Sequence, residues 1–314
     1  MSLFEDTQIV AAEEIACGKL LTAFETSHNR DLVNSSDEEL VLDDAGAGLS
    51  AVCHSARAVW AHFVCEELER HFSYDSATGE INKKVFFFTL VDIGCARSLN
   101  EHKVDLRPIA RKLRKGLRGY NFIGVIEPGL YSHINAEAKS PCGSSCVSWH
   151  MHVLLWGISR KRAKRLVKRL NKSKKYIPLW PGQDGVFQRQ VRKGEFPQAL
   201  GYILKPAKSA YRLGRRREST DAKPSFIQYR SKLRPGERLT LYLQMRHLSL
   251  PETWIAGGKG SALLGMVKRR SRAAMRRFER SPVSAGSGDR RRSVVRCSSL
   301  LSIIRAAETR KPIL

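Results

Sequence analysis

Residues 149–157, Trp-His-Met-His-Val-Leu-Leu-Trp-Gly, constrain the fold more than any other stretch. Side chains two apart on a strand share a face. His150, His152, Leu154 and Trp156 would therefore lie on one side, and Met151, Val153 and Leu155 on the other. A strand apolar on both sides belongs in the buried middle of a sheet. Two imidazoles at one end of such a strand suit a divalent metal. The competing reading is a pair of histidines satisfied by local hydrogen bonds.

The surrounding pattern supplies partners for that strand. Residues 84–92 (KVFFFTLVD) and 121–127 (NFIGVIE) read as strands, with a basic helix over 105–118 between them. A long loop over 128–148 leads into the histidine strand. Residues 159–175 read as a helix with Ser159 as its N-cap, an apolar stripe of Ala163, Leu166, Val167 and Leu170, and Lys or Arg elsewhere. A strand over 185–192 follows, then a short helix from Pro197 through Tyr202 to Lys205, stopped by Pro206. A further strand is predicted at 239–245. Before residue 80 the pattern gives helices near 8–25 and 51–72, with an acidic loop over 35–39; residues 268–293, rich in Arg, Ser and Gly, read as disordered. The order implies an α+β fold whose antiparallel sheet carries helices on one side. It divides into an acidic, partly helical region (1–80), a central domain (81–250) and a basic tail (251–314).

Two further sites carry chemistry. If strands 122–127 and 149–157 form an antiparallel hairpin, Glu127 comes to lie beside His150 and His152. A carboxylate is a natural third ligand for a metal that must also hold a phosphate oxygen; the alternative is a strand-end carboxylate in solvent. On the helix, Tyr202 and Lys205 are three apart and project together. A phenol is a weak nucleophile near neutral pH, and an ammonium and a metal-bound phosphate would both stabilise charge on its oxygen. Taken alone, the pair is equally an aromatic packed beside a solvated lysine.

The ordered set Phe87-Phe88-Thr89-Leu90, Glu127, His150-Met151-His152 and Tyr202-Ile203-Leu204-Lys205 resembles the motifs of the rolling-circle replication initiators, the HUH endonucleases, over about residues 84–211. The resemblance implies a ferredoxin-like core of about five antiparallel strands. It implies a Mg²⁺ or Mn²⁺ ion on His150 and His152, with Glu127 as third ligand. Tyr202 would be the nucleophile, forming a 5′-phosphotyrosyl link, and Lys205 would stabilise the phosphate. Thr89 and Leu90 would support the core strand near the DNA. The chain departs from the pattern in three places. Val91-Asp92 stand where a second threonine is usual. Pro206 follows Lys205 directly, which makes Lys208 a rival for the lysine role. No second tyrosine lies one helical turn from Tyr202, and Tyr211 is too far along the chain to share that helical face, so a single-tyrosine mechanism is expected. No phosphate-binding Gly-x-x-x-x-Gly-Lys-Ser/Thr loop occurs, so strand separation would fall to a host helicase and replication machinery.

Charge agrees with a nucleic-acid partner. The net charge is +25 with a pI near 10.2. Residues 1–80 sum to −12, which leaves +37 on the remainder, and the acidic segment is a candidate mask for a basic groove. Arg160, Lys161, Arg165, Lys168, Arg169, Lys208, Arg215, Arg216 and Arg217 are candidate phosphate contacts to single-stranded or origin DNA. Trp180, Phe187 and Tyr229 are candidates for base stacking or for the core. No apolar run is long enough for a membrane span and no secretory signal is visible, so a bacterial cytoplasm with reduced thiols is expected. Cys142 and Cys146 are expected as free thiols, with a zinc site the alternative. The runner-up functions are a noncatalytic nucleic-acid-binding protein and a single-tyrosine transposase or relaxase.

Overall fold

A computed structural model describes residues 6–28, 30–42, 48–78, 80–132, 145–180, 183–206, 209–215 and 226–279. Three helices come first: α1 (Asp6–Thr26), α2 (Ser35–Leu42) and α3 (His54–Phe72). Next are β1 (Val85–Leu90), the short β2 (Ala96–Arg97), α4 (Arg107–Gly116), β3 (Asn121–Ser132) and β4 (Ser145–Trp156). These lead to α5 (Arg160–Lys172), β5 (Val186–Gln190), α6 (Phe196–Leu204), β6 (Ser209–Arg215) and β7 (Phe226–Lys232). The described chain closes with α7 (Pro235–Met245), the one-turn α8 (Leu250–Thr253), β8 (Trp254–Gly257) and α9 (Lys259–Glu279).

The fold is α+β, as the sequence pattern implies, but the sheet is larger than the expected five antiparallel strands. Eight strands pair in one sheet, with the order β5-β1-β4-β3-β6-β7, β2 on β4 and β8 on β3. Along β5-β1-β4-β3 each strand is antiparallel to its neighbour. β6 runs parallel to β3, which makes the sheet mixed. The cause is the length of β3. At 12 residues it reaches well beyond β1, so its free edge accommodates two strands, β8 on residues 122–125 and β6 on 130–132. The predicted loop over 128–148 is correspondingly short: Glu127–Ser132 and Ser145–Trp149 continue the hairpin ladder.

Helices lie on both faces of the sheet rather than on one. On the histidine face, Phe72 of α3 packs edge-on to Trp156 and to Phe196 of α6. Trp60 of α3 packs at 6.0 Å against Trp254 of β8. The other face carries Phe86, Phe88, Leu90, Met151, Val153 and Leu155, all fully buried. α4 and α5, the helices of the β1-to-β3 and β4-to-β5 connections, cover it with Ile109, Leu113, Leu166 and Leu170. Asn171 of α5 bonds both the N–H and the C=O of Val186 and so ties that helix to β5. Burying each such aliphatic side chain contributes roughly 1.5–3 kcal/mol.

Three other expectations change. Residues 35–39 are not a loop but the start of α2, where Asp37 accepts hydrogen bonds from Tyr242 and Arg246. Residues 239–245 are helical. Their alternating leucines imitate a strand, but Pro235 in the first turn and Glu237 bonded back to the Arg234 N–H start a helix. Its Leu239, Tyr242 and Leu243 then pack with Cys17, Leu21 and Phe24 of α1. The Arg-rich stretch from 268 is helical to Glu279 because Val267, Ser271, Ala274, Met275 and Phe278 recur on one buried side. Arg270 pairs there with Glu66 and Glu67 of α3. Residues 280–293 of the predicted disordered segment lie outside the described residues.

Candidate metal and nucleophile site

The hairpin register decides the first three groups. Glu127 pairs directly with His150, and His152 pairs with Val125 on one side and Thr89 on the other. All of these side chains therefore stand on one face. Glu127 Oε1 lies 3.3 Å from His150 Nε2 and 3.1 Å from His152 Nε2. One ligand atom from each of the three residues lies within 4.8 Å of the others. Both histidines are buried, and Gly129 makes room for one of them: a Cβ there would sit 2.9 Å from His150 Cε1.

The imidazoles are oriented as ligands. His150 Nδ1 is 3.1 Å from the Ser148 carbonyl, which can only accept, so Nδ1 carries the proton and Nε2 presents its lone pair. His152 Nδ1 is 3.0 Å from Thr89 Oγ1, while its buried Nε2 makes no hydrogen bond of good geometry. Burial lowers the His152 pKa to about 4, so this ring is neutral near pH 7. Burial alone would raise Glu127, but its contacts with the two imidazoles and Lys205 prevail and hold it well below the usual carboxylate range. The His150 Nε2 lone pair and the Glu127 carboxylate oxygen 3.3 Å from it repel unless a proton or a cation stands between them. Adjacent ligands of an octahedral ion with bonds of ~2.1 Å sit about 3 Å apart, which the two Glu127–histidine separations match. The donor set therefore fits a divalent ion.

Tyr202 comes from α6 and Lys205 is the residue after it, where the predicted helix through Lys205 has already ended; both lie on the same side of the sheet. Pro197 in the first turn starts this helix and Pro206 follows its C-cap, Lys205, whose backbone is extended. Leu200, Ile203 and Leu204 are buried, which turns Tyr202 toward the histidines. Its ring meets that of His152 edge-on at 4.8 Å and that of Phe87 at 5.5 Å. Lys205 Nζ lies 3.1 Å from the centroid of the Tyr202 ring and 3.7 Å from Glu127 Oε1. Burial, then Tyr211 and Glu127, raise the Tyr202 pKa, so the phenol is neutral here.

Two neighbours were not expected from the sequence. Tyr211 lies far along the chain from Tyr202, yet β6 turns back beside β3 and brings Tyr211 near enough to raise the Tyr202 pKa. Tyr211 also stacks on Tyr131 at 4.9 Å, and Tyr131 packs against the buried Trp180. Arg230, paired in register with Tyr211 on β7, draws the Tyr202 pKa downward and donates to Ser209 Oγ at 2.6 Å. The only sequence signal for either was Pro206, a stop after which the chain can reverse.

The predicted DNA contacts divide. Arg160, Lys161, Arg165, Lys168 and Arg169 are exposed on α5, whose Leu166 and Leu170 pack on the sheet face opposite the triad. Lys208, Arg216 and Arg217 lie outside the described residues, as do Cys142 and the side chain of Arg215. Cys146 is buried within β4. Phe187 is 41% and Tyr229 is 55% exposed, so both remain available for stacking, whereas Trp180 belongs to the core. Glu13 and Asp37 of the acidic segment pair with Arg57 and Arg246. No described helix is long and apolar enough to cross a membrane. Comparison with protein-family models, with curated proteins and with solved structures finds no match.

Proposed function

We propose that this chain is a metal-dependent DNA-nicking and joining enzyme of the HUH endonuclease type, with Tyr202 as its single nucleophile. The observation that carries the reading is the meeting, on one sheet face, of a Glu127–His150–His152 donor set with a phenol and an ammonium drawn from a different element. The strand order β5-β1-β4-β3, with α4 and α5 in the connections, also supports it, being the β-α-β-β-α-β order of a ferredoxin-like core.

The chemistry follows from the groups present. A Mg²⁺ or Mn²⁺ ion on the triad supplies Lewis-acid polarisation of the scissile phosphate. Tyr202 Oη forms a bond to phosphorus and loses its proton, while the bond to the 3′ oxygen breaks and that oxygen leaves as a hydroxyl. The 5′ end stays on the tyrosine, and attack by a 3′-hydroxyl reverses the step and rejoins the strand. Lys205 keeps the charge near the phenol oxygen balanced during attack. Because the neutral phenol is favoured without substrate, activation depends on the bound phosphate. In this reading the substrate is single-stranded origin DNA, the reaction begins rolling-circle replication, and a host helicase separates the strands.

The test is a covalent adduct. The chain is incubated with single-stranded oligonucleotides and Mn²⁺ or Mg²⁺, and a protein–DNA band that survives denaturant is sought. Tyr202→Phe is expected to abolish it and His150→Ala to reduce it strongly. Adduct formation that persists in Tyr202→Phe would end this assignment; binding with no adduct under any condition would leave a noncatalytic DNA-binding protein.

A further inference from the structure

The densest positive surface of the described chain does not face the triad. Eight of the 13 residues of α5 are Lys or Arg, and neither α5 nor α4 contains an Asp or Glu. Lys161, Arg165, Lys168 and Lys172 follow one another at four, three and four residues. They form a straight exposed row opposite the buried Ala163, Leu166 and Leu170. Arg111 and Lys115, exposed on α4, extend the row sideways, and the two helices are joined where Arg169 donates to the Gly116 carbonyl at 3.3 Å. Among the described residues, none of these six cations forms a salt bridge, and Asp105, which feels the charge of Arg111, is itself paired with Arg107.

We infer that this α4–α5 face is a docking surface for the phosphate backbone of double-stranded DNA, separate from the strand engaged at Tyr202. The inference rests on the nicking reading for its biological sense. Charge complementarity names a polyanion, and the absence of rings narrows it. The exposed large apolar side chains of the described chain are Ile15, Leu32, Ile177, Phe187 and Tyr229, none of them on α4 or α5. Phe187 of β5 borders one end of the row, in a recess it shares with Lys168 and Lys172. A single ring at one end is no stacking platform along a strand, whereas single-strand binders rely on stacking successive bases. A rigid row about 17 Å long suits phosphates held at fixed spacing. The sheet lies between this face and the triad, so a duplex docked here leaves Tyr202 open to a single strand.

The test compares the full chain with the quadruple variant Lys161→Gln, Arg165→Gln, Lys168→Gln, Lys172→Gln on two probes. These are a blunt 20-base-pair duplex, read by anisotropy from 50 to 300 mM salt, and a short single-stranded oligonucleotide, read by covalent adduct. Each lost phosphate contact removes about 0.9 from the log–log salt slope, so duplex binding is expected to weaken at least tenfold with a slope shallower by roughly 3–4. Adduct yield on the short single strand is expected to hold, and Tyr202→Phe to leave duplex affinity unchanged. An unaltered duplex slope in the variant would overturn the inference, as would an equal loss on both probes. The duplex measurement stands even if no adduct forms, so this surface and the nicking reading fail independently.

Discussion

Thr89 Oγ1 lies 3.0 Å from His152 Nδ1, across the β1–β4 register, and so governs which nitrogen of that imidazole faces Glu127. A partner on the far ring nitrogen fixes both tautomer and ring orientation in a metal-binding histidine. Thr89→Val keeps the β-branched shape that a buried strand tolerates and removes the hydroxyl. Mn²⁺ affinity is expected to fall roughly 10–100-fold, with the thermal midpoint in chelator little changed. A calorimetric or paramagnetic-resonance titration reads the loss, and excess Mn²⁺ should restore adduct formation.

The triad should couple metal binding to folding. An ion that binds only the folded chain adds about 2.7 kcal/mol at a hundredfold excess over its Kd. Thermal unfolding in Mn²⁺ against chelator should show that shift in the native chain and none in a His150→Ala, His152→Ala double variant. An equal shift in the double variant would place the ion elsewhere.

Lys205 spans Glu127 and the Tyr202 ring. Lys205→Met should lower the rate of adduct formation by about 10²-fold, the usual effect of losing one preorganised charge partner at a phosphate. Lys205→Arg should recover part of it. Single-turnover measurement on one oligonucleotide separates this from weaker binding.

The nearness of Tyr211 to Tyr202 allows a direct check on which phenol reacts. Peptide mapping of the adduct by mass spectrometry should place the nucleotide on Tyr202, and Tyr211→Phe should still form adduct. Modification at Tyr211 would transfer the nucleophile's role to β6.

Buried His54, near Glu13 and Arg57, provides a pH prediction away from the metal site. Burial lowers its pKa in the folded chain. The unfolded chain, with an ordinary value near ~6.5, therefore takes up a proton first as pH falls. Stability from this residue is present above about pH 6.5 and declines below it. Urea unfolding at pH 7 and pH 5 should show a smaller acid loss in His54→Gln than in the native chain.

Much of the site was written in local pattern. The two-residue period placed His150 and His152 on one face, the hairpin brought Glu127 beside them, and the prolines around Tyr202 bounded its helix. Periodicity was less informative where two periods fit the same leucines, as at 239–245. It also failed where an Arg-rich stretch kept its apolar side, as in α9.

Sequence alone determined the identity of the donor groups and their order along β1, β3, β4 and α6, because strand and helix periods act over a few residues. Only tertiary structure decided that β6 and β7 return Tyr211 and Arg230 to Tyr202, and that the cations of α5 stand behind the sheet. Both depend on strand order and on which face a crossover helix covers, and these are settled by burial of β3's long edge and of the second apolar face. No spacing within a single segment encodes them.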